Sequence, residues 1–185
     1  MSLYAVALLL PDKIENELDR LRGENNKYMR YITYPHVTLE YPFQIRVDQR
    51  TIIDRLAEVA RNTNPFTLTL WGIEYFEGDN NVAYIGIANK QPVIELRTDI
   101  VSHLGGMIEV EEHYKEIDQP EKFIPHLTIG EDIPNKIFAD FKKRMTDYEI
   151  DFEVEVKSFA LFFKDEGAIW EPAYVFELFP RQNPR

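Results

Sequence analysis

The chain has 185 residues, 44% of them hydrophobic and 29% charged, which is enough for a sizeable core and ordinary for a soluble globular protein. It contains no cysteine, so disulfide frameworks, thiolate zinc sites and thiol nucleophiles are excluded. With 32 acidic against 21 basic residues the net charge is −11, and the scattered basic residues form no tract suited to gripping long duplex nucleic acid.

The apolar run at residues 3–10 is too short to span a bilayer and lacks the basic flank of a signal peptide, so it reads as a buried strand of a soluble, cytoplasmic protein. Pro11-Asp12 then opens a helix to about residue 27, with Ile14, Leu18 and Leu21 at helical spacing. Residues 22–34 mix polar and aromatic side chains and predict a helix end and loop. A strand is expected over 36–43 and a helix over 47–61, the latter with Ile52, Ile53, Leu56, Val59 and Ala60 inward. Strands over 66–76 and 82–88 are joined by the turn-forming Gly78-Asp79-Asn80-Asn81.

The second half repeats this order. A helix is predicted over 92–104, an acidic loop over 105–119, a strand over 123–130 and a helix from Ile133-Pro134 to about Met145. Residues 152–159 carry apolar side chains at the same relative positions as 66–73, and a last strand over 173–179 closes the chain. The matching order implies an internal duplication of about 85–90 residues. The expected product is an α+β protein, a duplicated bilobal fold with two antiparallel sheets flanked by helices around a central cleft with pseudo-two-fold symmetry. It would form a single domain over 1–185, with lobes near 1–81 and 82–185, with or without exchange of strands between them.

The strongest signal is a short pattern that occurs twice. Pro35-His36-Val37-Thr38-Leu39 and Pro125-His126-Leu127-Thr128-Ile129 use two of only four histidines, 90 residues apart. Alternation along a strand turns His36 and Thr38 to one face and buries Val37 and Leu39; His126 and Thr128 do the same over Leu127 and Ile129. Two such lobes facing each other would bring two imidazoles and two hydroxyls into one cleft. That set suits in-line displacement at phosphorus: one neutral imidazole accepts a proton from the attacking oxygen, and the other, as imidazolium, gives one to the leaving oxygen. The hydroxyls can donate to the non-bridging oxygens. The sequence offers no convincing set of metal ligands, and this chemistry needs none.

With those motifs, His36-Val37-Thr38-Leu39 and His126-Leu127-Thr128-Ile129, the chain resembles the 2H phosphoesterase superfamily, which includes the 2′-5′ RNA ligase-like proteins and the cyclic phosphodiesterases. The resemblance covers essentially the whole chain. It implies an enzyme, without cofactor or metal, acting on a 2′,3′-cyclic or 2′-5′ phosphodiester of a nucleotide or short RNA. It implies His36 as proton donor to the leaving 3′-oxygen, His126 as proton acceptor from water, and Thr38 and Thr128 as phosphate ligands. The two nearly equivalent motifs do not by themselves say which histidine is acid and which is base.

Two other readings stand beside this one: a non-catalytic nucleotide-binding module using the same cleft, and an RNA end-processing or 2′-5′ ligase activity, for which a basic tract beside the cleft would be expected. The expected partners are small nucleotides or short RNA, with no membrane and no long duplex, and the duplication makes a monomer the default. Tyr28, Tyr31, Tyr34 and Phe163 could stack on a base, against a default of core or surface packing. Arg30 and Lys122 could neutralise phosphate, against a default of solvated charge. Glu40 is expected on the His36 face, one strand step further out. The acidic stretch Glu109, Glu111, Glu112, Glu116 and Asp118, with His113 inside it, reads as a solvated loop whose spacing matches no metal-ligand motif.

Overall fold

A computed structural model describes residues 2–11, 14, 16, 18, 21 and 35–180. Nine strands and three helices are complete among them: β1 Leu3–Leu9, β2 His36–Ile45, α1 Gln49–Arg61, β3 Phe66–Phe76, β4 Asn81–Ile87, α2 Gln91–Leu104, β5 Ile108–Val110, β6 His126–Ile133, α3 Asn135–Met145, β7 Asp151–Val156, β8 Ser158–Lys164 and β9 Glu171–Glu177. Ile14, Leu18 and Leu21 are helical and buried, as their spacing predicts. The rest of that helix and the 22–34 segment lie outside the described residues.

Each helix forms because its apolar residues recur on one side. In α1 the buried stripe is Ile52, Leu56, Val59 and Ala60. Asp48 caps this helix, its carboxylate accepting from Thr51 N at 2.9 Å, which occupies an amide the first turn would otherwise leave unpaired. In α2, Val93, Leu96, Ile100 and Leu104 face inward; in α3, Phe138, Phe141 and Met145 do.

The strands form two wholly antiparallel sheets, ordered β5-β2-β1-β8-β9 and β6-β4-β3-β7. From each motif strand the order runs alike: motif strand, partner, third strand, edge. β2-β1-β8-β9 thus corresponds to β6-β4-β3-β7, which is the pseudo-two-fold of the bilobal α+β fold. One continuous hydrophobic core joins the inner faces of both sheets to the helices. α1 packs on α2, α2 on β2, and α1 on β9.

The sheets do not follow the two halves of the chain. β3, from the first half, is central in the second sheet, and β8 and β9 return from the C-terminal end to complete the first. This also revises the expected equivalence of 66–73 and 152–159. β7 pairs directly with β3, Phe66 opposite Val156 and Leu70 opposite Phe152, and pairing breaks at Lys157 before β8 begins in the other sheet. The two segments share a pattern because they line the same core side by side. By position in the sheet, the counterpart of β3 is β8.

The acidic segment after α2 is also more ordered than a solvated loop. Ile108–Val110 pairs with β2, Phe43 opposite Val110, and short 3₁₀ turns follow at Glu112–Tyr114 and Pro120–Lys122. At the β3–β4 hairpin, buried Asn81 donates to Ile133 O at 2.8 Å and to Asn135 Oδ1 at 2.6 Å, and accepts from Gly78 N at 3.2 Å. A polar side chain at that depth is tolerable because its bonds are made, and they tie the hairpin to the end of β6 and the start of α3.

Candidate active site

The motif strands come from different sheets yet approach within 8 Å, Cα to Cα. β5 pairs β2 over Phe43–Ile45, so among the described residues the His36 end of β2 is paired only on the β1 side, and β6 is itself a sheet edge. The two strands lie against each other. Val37, Leu39, Leu127 and Ile129 are each 0% exposed, while His36, Thr38, His126 and Thr128 are half-buried on the opposite face. Leu9 and Ala7 stand opposite His36 and Thr38, and Gly86 and Tyr84 opposite His126 and Thr128.

His126 is closely held. Its Nδ1 lies 2.7 Å from Ile124 O. A carbonyl only accepts, so Nδ1 carries the hydrogen, and in the neutral ring Nε2 keeps its lone pair. Phe76 meets the imidazole edge-on with centroids 5.1 Å apart, and Tyr84 tilts against it at the same separation. Burial pushes the His126 pKa below the ordinary imidazole value, and the hydrogen bond to Ile124 opposes that in part. Tyr84 in turn stacks on Phe76 at 4.3 Å and donates from its hydroxyl to Glu74 Oε2 at 3.0 Å. Burial first, and Glu74 second, push the Tyr84 phenol up to about 12, so it remains a neutral donor.

Gly86 is a point of close approach in this arrangement. A Cβ there would stand 2.6 Å from Glu74 Oε1 and 2.9 Å from Trp71 O, below any normal contact. Gly86→Ala should therefore destabilise the fold by about 1–3 kcal/mol through overpacking. Urea denaturation checks this, and an unchanged midpoint would show that the neighbouring backbone yields freely.

His36 stands over a different floor. Ala7, Ala160 and Phe162 form a small second apolar cluster with Ala5, Leu9 and Trp170, and Phe162 lies 6.3 Å from the His36 ring. Phe163, the aromatic singled out from sequence, pairs with Tyr4 and packs on it at 5.4 Å, while Tyr4 stacks on core Phe43. One residue along a strand reverses the face, so Phe162 is the aromatic beside the histidine. Tyr28, Arg30, Tyr31 and Tyr34 lie outside the described residues. Lys122 sits 3.7 Å from Glu116 in an exposed ion pair. His113 contacts Tyr114 and lies 3.9 Å from Glu111. Among the described residues no three His, Asp or Glu side chains gather to hold a metal ion.

Glu40 departs from the sequence expectation. Bulges in the β1–β2 pairing place it opposite Val6, a core residue, and it is 1% exposed. The regular alternation that would have carried it onto the His36 face is broken there. Both of its carboxylate oxygens are shut away from solvent, with the Asp118 carboxylate beside them. Burial, then the neighbouring Asp118, push its pKa up to about 8, with Arg97 opposing. Arg97, buried in α2, donates to the Asp118 carboxylate and, at 2.9 Å, to Asp118 O, and its guanidinium covers Phe123 at 4.4 Å. These groups link β2 to the segment that leads into β6. Sequence reading missed the cluster because Glu40, Arg97 and Asp118 are far apart in the chain and share no motif.

Two antiparallel sheets, each bringing a His-x-Thr strand against that of the other, define a bilobal α+β fold with one histidine from each sheet. The sequence model of the 2′-5′ RNA ligase superfamily matches residues 10–168, and the chain belongs to that superfamily. A Bacillus mycoides (strain KBAB4) protein named Putative phosphoesterase is 28% identical over 178 residues, covering 95% of this chain and 97% of the relative. A Bacillus cereus (strain G9842) protein of the same description is 28% identical over 173 residues, covering 92% and 94%. Among solved structures, E. coli LigT complexed with 3′-AMP superposes with a TM-score of 0.68 at 18% identity, covering 97% of this chain and 99% of that one. TT0787 of Thermus thermophilus superposes at 0.66 with 21% identity, covering 98% and 100%. These structural likenesses are of fold.

Proposed function

We propose that the protein hydrolyses a 2′,3′-cyclic or 2′-5′ phosphodiester of a nucleotide or short RNA by two-histidine acid–base catalysis. The observation that carries this is the His/Thr pair on one half-buried face of each of two adjoining strands, β2 and β6. His126 is suited to accept the proton: burial favours its neutral form, and the bond from Nδ1 to Ile124 leaves Nε2 as the acceptor. Water, deprotonated by His126, attacks phosphorus. The P–O3′ bond breaks, His36 as imidazolium protonates the departing 3′-oxygen, and a 2′-phosphate remains. Thr38 and Thr128 donate to the non-bridging oxygens, where charge builds in the transition state. The proton transfers and charge stabilisation are then supplied by the protein's own side chains, with no metal or cofactor.

LigT, of similar fold, has been crystallised with 3′-AMP, phosphate and ATP, which supports a small nucleotide as the ligand of this chain too. The duplication already supplies a two-fold within one chain, so the proposed working unit is a monomer. The test is a panel of 2′,3′-cyclic nucleotides, 2′-5′ oligonucleotides and other cyclic phosphodiesters, with chelator present and product regiochemistry read by phosphorus NMR. Turnover to 2′-phosphates is expected. Nucleotide binding without turnover across the panel would replace this reading with a binding module, and joining of ends in place of hydrolysis would replace it with a ligase.

A further inference from the structure

Side chains directly opposite one another on paired strands share a face. The row through His126 therefore runs across β4 and β3 to β7: His126, Gly86, Trp71, Asp151. The adjacent row is Thr128, Tyr84, Glu74. Trp71 is 58% exposed, an unusual position for the residue type with most to gain from burial. The bulge at Gly72, whose φ is +65°, lets β3 keep Leu68, Leu70, Ile73 and Tyr75 toward the core while Trp71 and Glu74 turn to the histidine side. Between His126 and Trp71 the sheet bears only Gly86, so those two side chains stand two strand spacings apart, about 10 Å. The Glu74 carboxylate leans over Gly86 into that interval: Oε2 is engaged by the Tyr84 hydroxyl, and Oε1 lies 2.6 Å from where a Gly86 Cβ would stand.

We propose that this face of the sheet, from Glu74 to Trp71, is the base-binding half of the active site, with Trp71 as the stacking surface and Glu74 Oε1 as the acceptor for an exocyclic amino group of the base. The inference rests on the phosphodiesterase reading for the position of the phosphate. Charge sets the orientation: Glu74 and Asp151 repel a phosphate, so the anion lies at the His/Thr end and the neutral base at the Trp71 end. A base offering N–H to Oε1 is favoured, whereas one offering a carbonyl there meets a carboxylate with like polarity. Cytosine and uracil differ at this edge, an amino group on one standing where the other has a carbonyl oxygen.

The test compares kcat/KM for cytidine and uridine 2′,3′-cyclic phosphates in the wild type, Glu74→Gln and Trp71→Ala, with thermal unfolding confirming that each variant folds. The wild type should prefer cytidine by about tenfold. Glu74→Gln, whose amide can accept or donate, should bring the kcat/KM values of the two substrates within about threefold of each other. Trp71→Ala should raise KM for both by about tenfold, as loss of a stacking surface does, without altering their ratio. An unchanged cytidine-to-uridine ratio in Glu74→Gln, or no base preference in the wild type, would overturn the proposal. Should neither substrate turn over, the phosphodiesterase reading fails separately. The base site is then tested by calorimetry with cytidine and uridine 2′-monophosphates: a preference for cytidine that Glu74→Gln abolishes supports it, and equal affinity or no binding refutes it.

Discussion

Replacing His126 with alanine should lower kcat/KM on a 2′,3′-cyclic nucleotide by a factor of about 10²–10⁴, the usual worth of a positioned proton-transfer group. His36→Ala should cost a similar factor. Combining the two should cost little more than either alone, because groups that act in one transition state do not contribute additively. The pH profile separates their roles. His126 is neutral to a lower pH than an ordinary imidazole because burial penalises its charged form. As the base, it should place the acid limb of kcat/KM below about 6.5, the unperturbed value. His126→Ala should erase that limb and His36→Ala the alkaline one. The opposite pairing would exchange the assigned roles, and full activity in either variant would remove that histidine from the mechanism.

The second large effect concerns stability. The Glu40 carboxyl is raised from 4.5 to about 8, chiefly by burial. Because the folded state holds this proton more tightly, the associated stability is fully present below about pH 4.5 and is lost progressively as pH rises through about 8. Glu40→Gln keeps a neutral side chain of the same shape at every pH. The variant should therefore match the wild type near pH 5 and exceed it at pH 9 by on the order of a few kcal/mol, with Arg97 reducing the margin. Urea titrations at pH 5, 7 and 9 check this, and parallel curves for the two proteins would mean that Glu40 is not held protonated. His126 has the opposite sign, its contribution falling away below about pH 6.5, so the alkaline range isolates Glu40.

Both predictions depend on contacts of differing legibility. The inward turn of Val37, Leu39, Leu127 and Ile129, and the outward turn of His36, Thr38, His126 and Thr128, follow from a period of two, which any half-buried strand must obey. The amphipathic faces of α1 to α3 follow from their own period in the same way. The exchange of β3 and β8 between the sheets could not be read: apolar alternation says that a strand has a core face, and both sheets cover one core. The same degeneracy made residues 152–159 look like a copy of 66–73 when 151–156 is the pairing partner of β3. Phe162 and Phe163 were indistinguishable until the register of β8 on β1 set which one lies beside His36. Glu40 left its expected face because bulges, which no local pattern announced, break the alternation of β2.

By itself, then, the sequence determined that two His/Thr strands exist, which way their side chains turn and which kind of chemistry they can perform, because all three depend on neighbours one to four residues away. Tertiary structure alone decided that β2 and β6 lie against each other. It also decided that Ile124, Phe76 and Tyr84 fix the His126 ring, that Glu40 is buried beside Arg97 and Asp118, and that Glu74 leans over Gly86 between His126 and Trp71. Those relations join residues tens of positions apart through strand register and burial, and neither quantity has a value until the sheets are assembled.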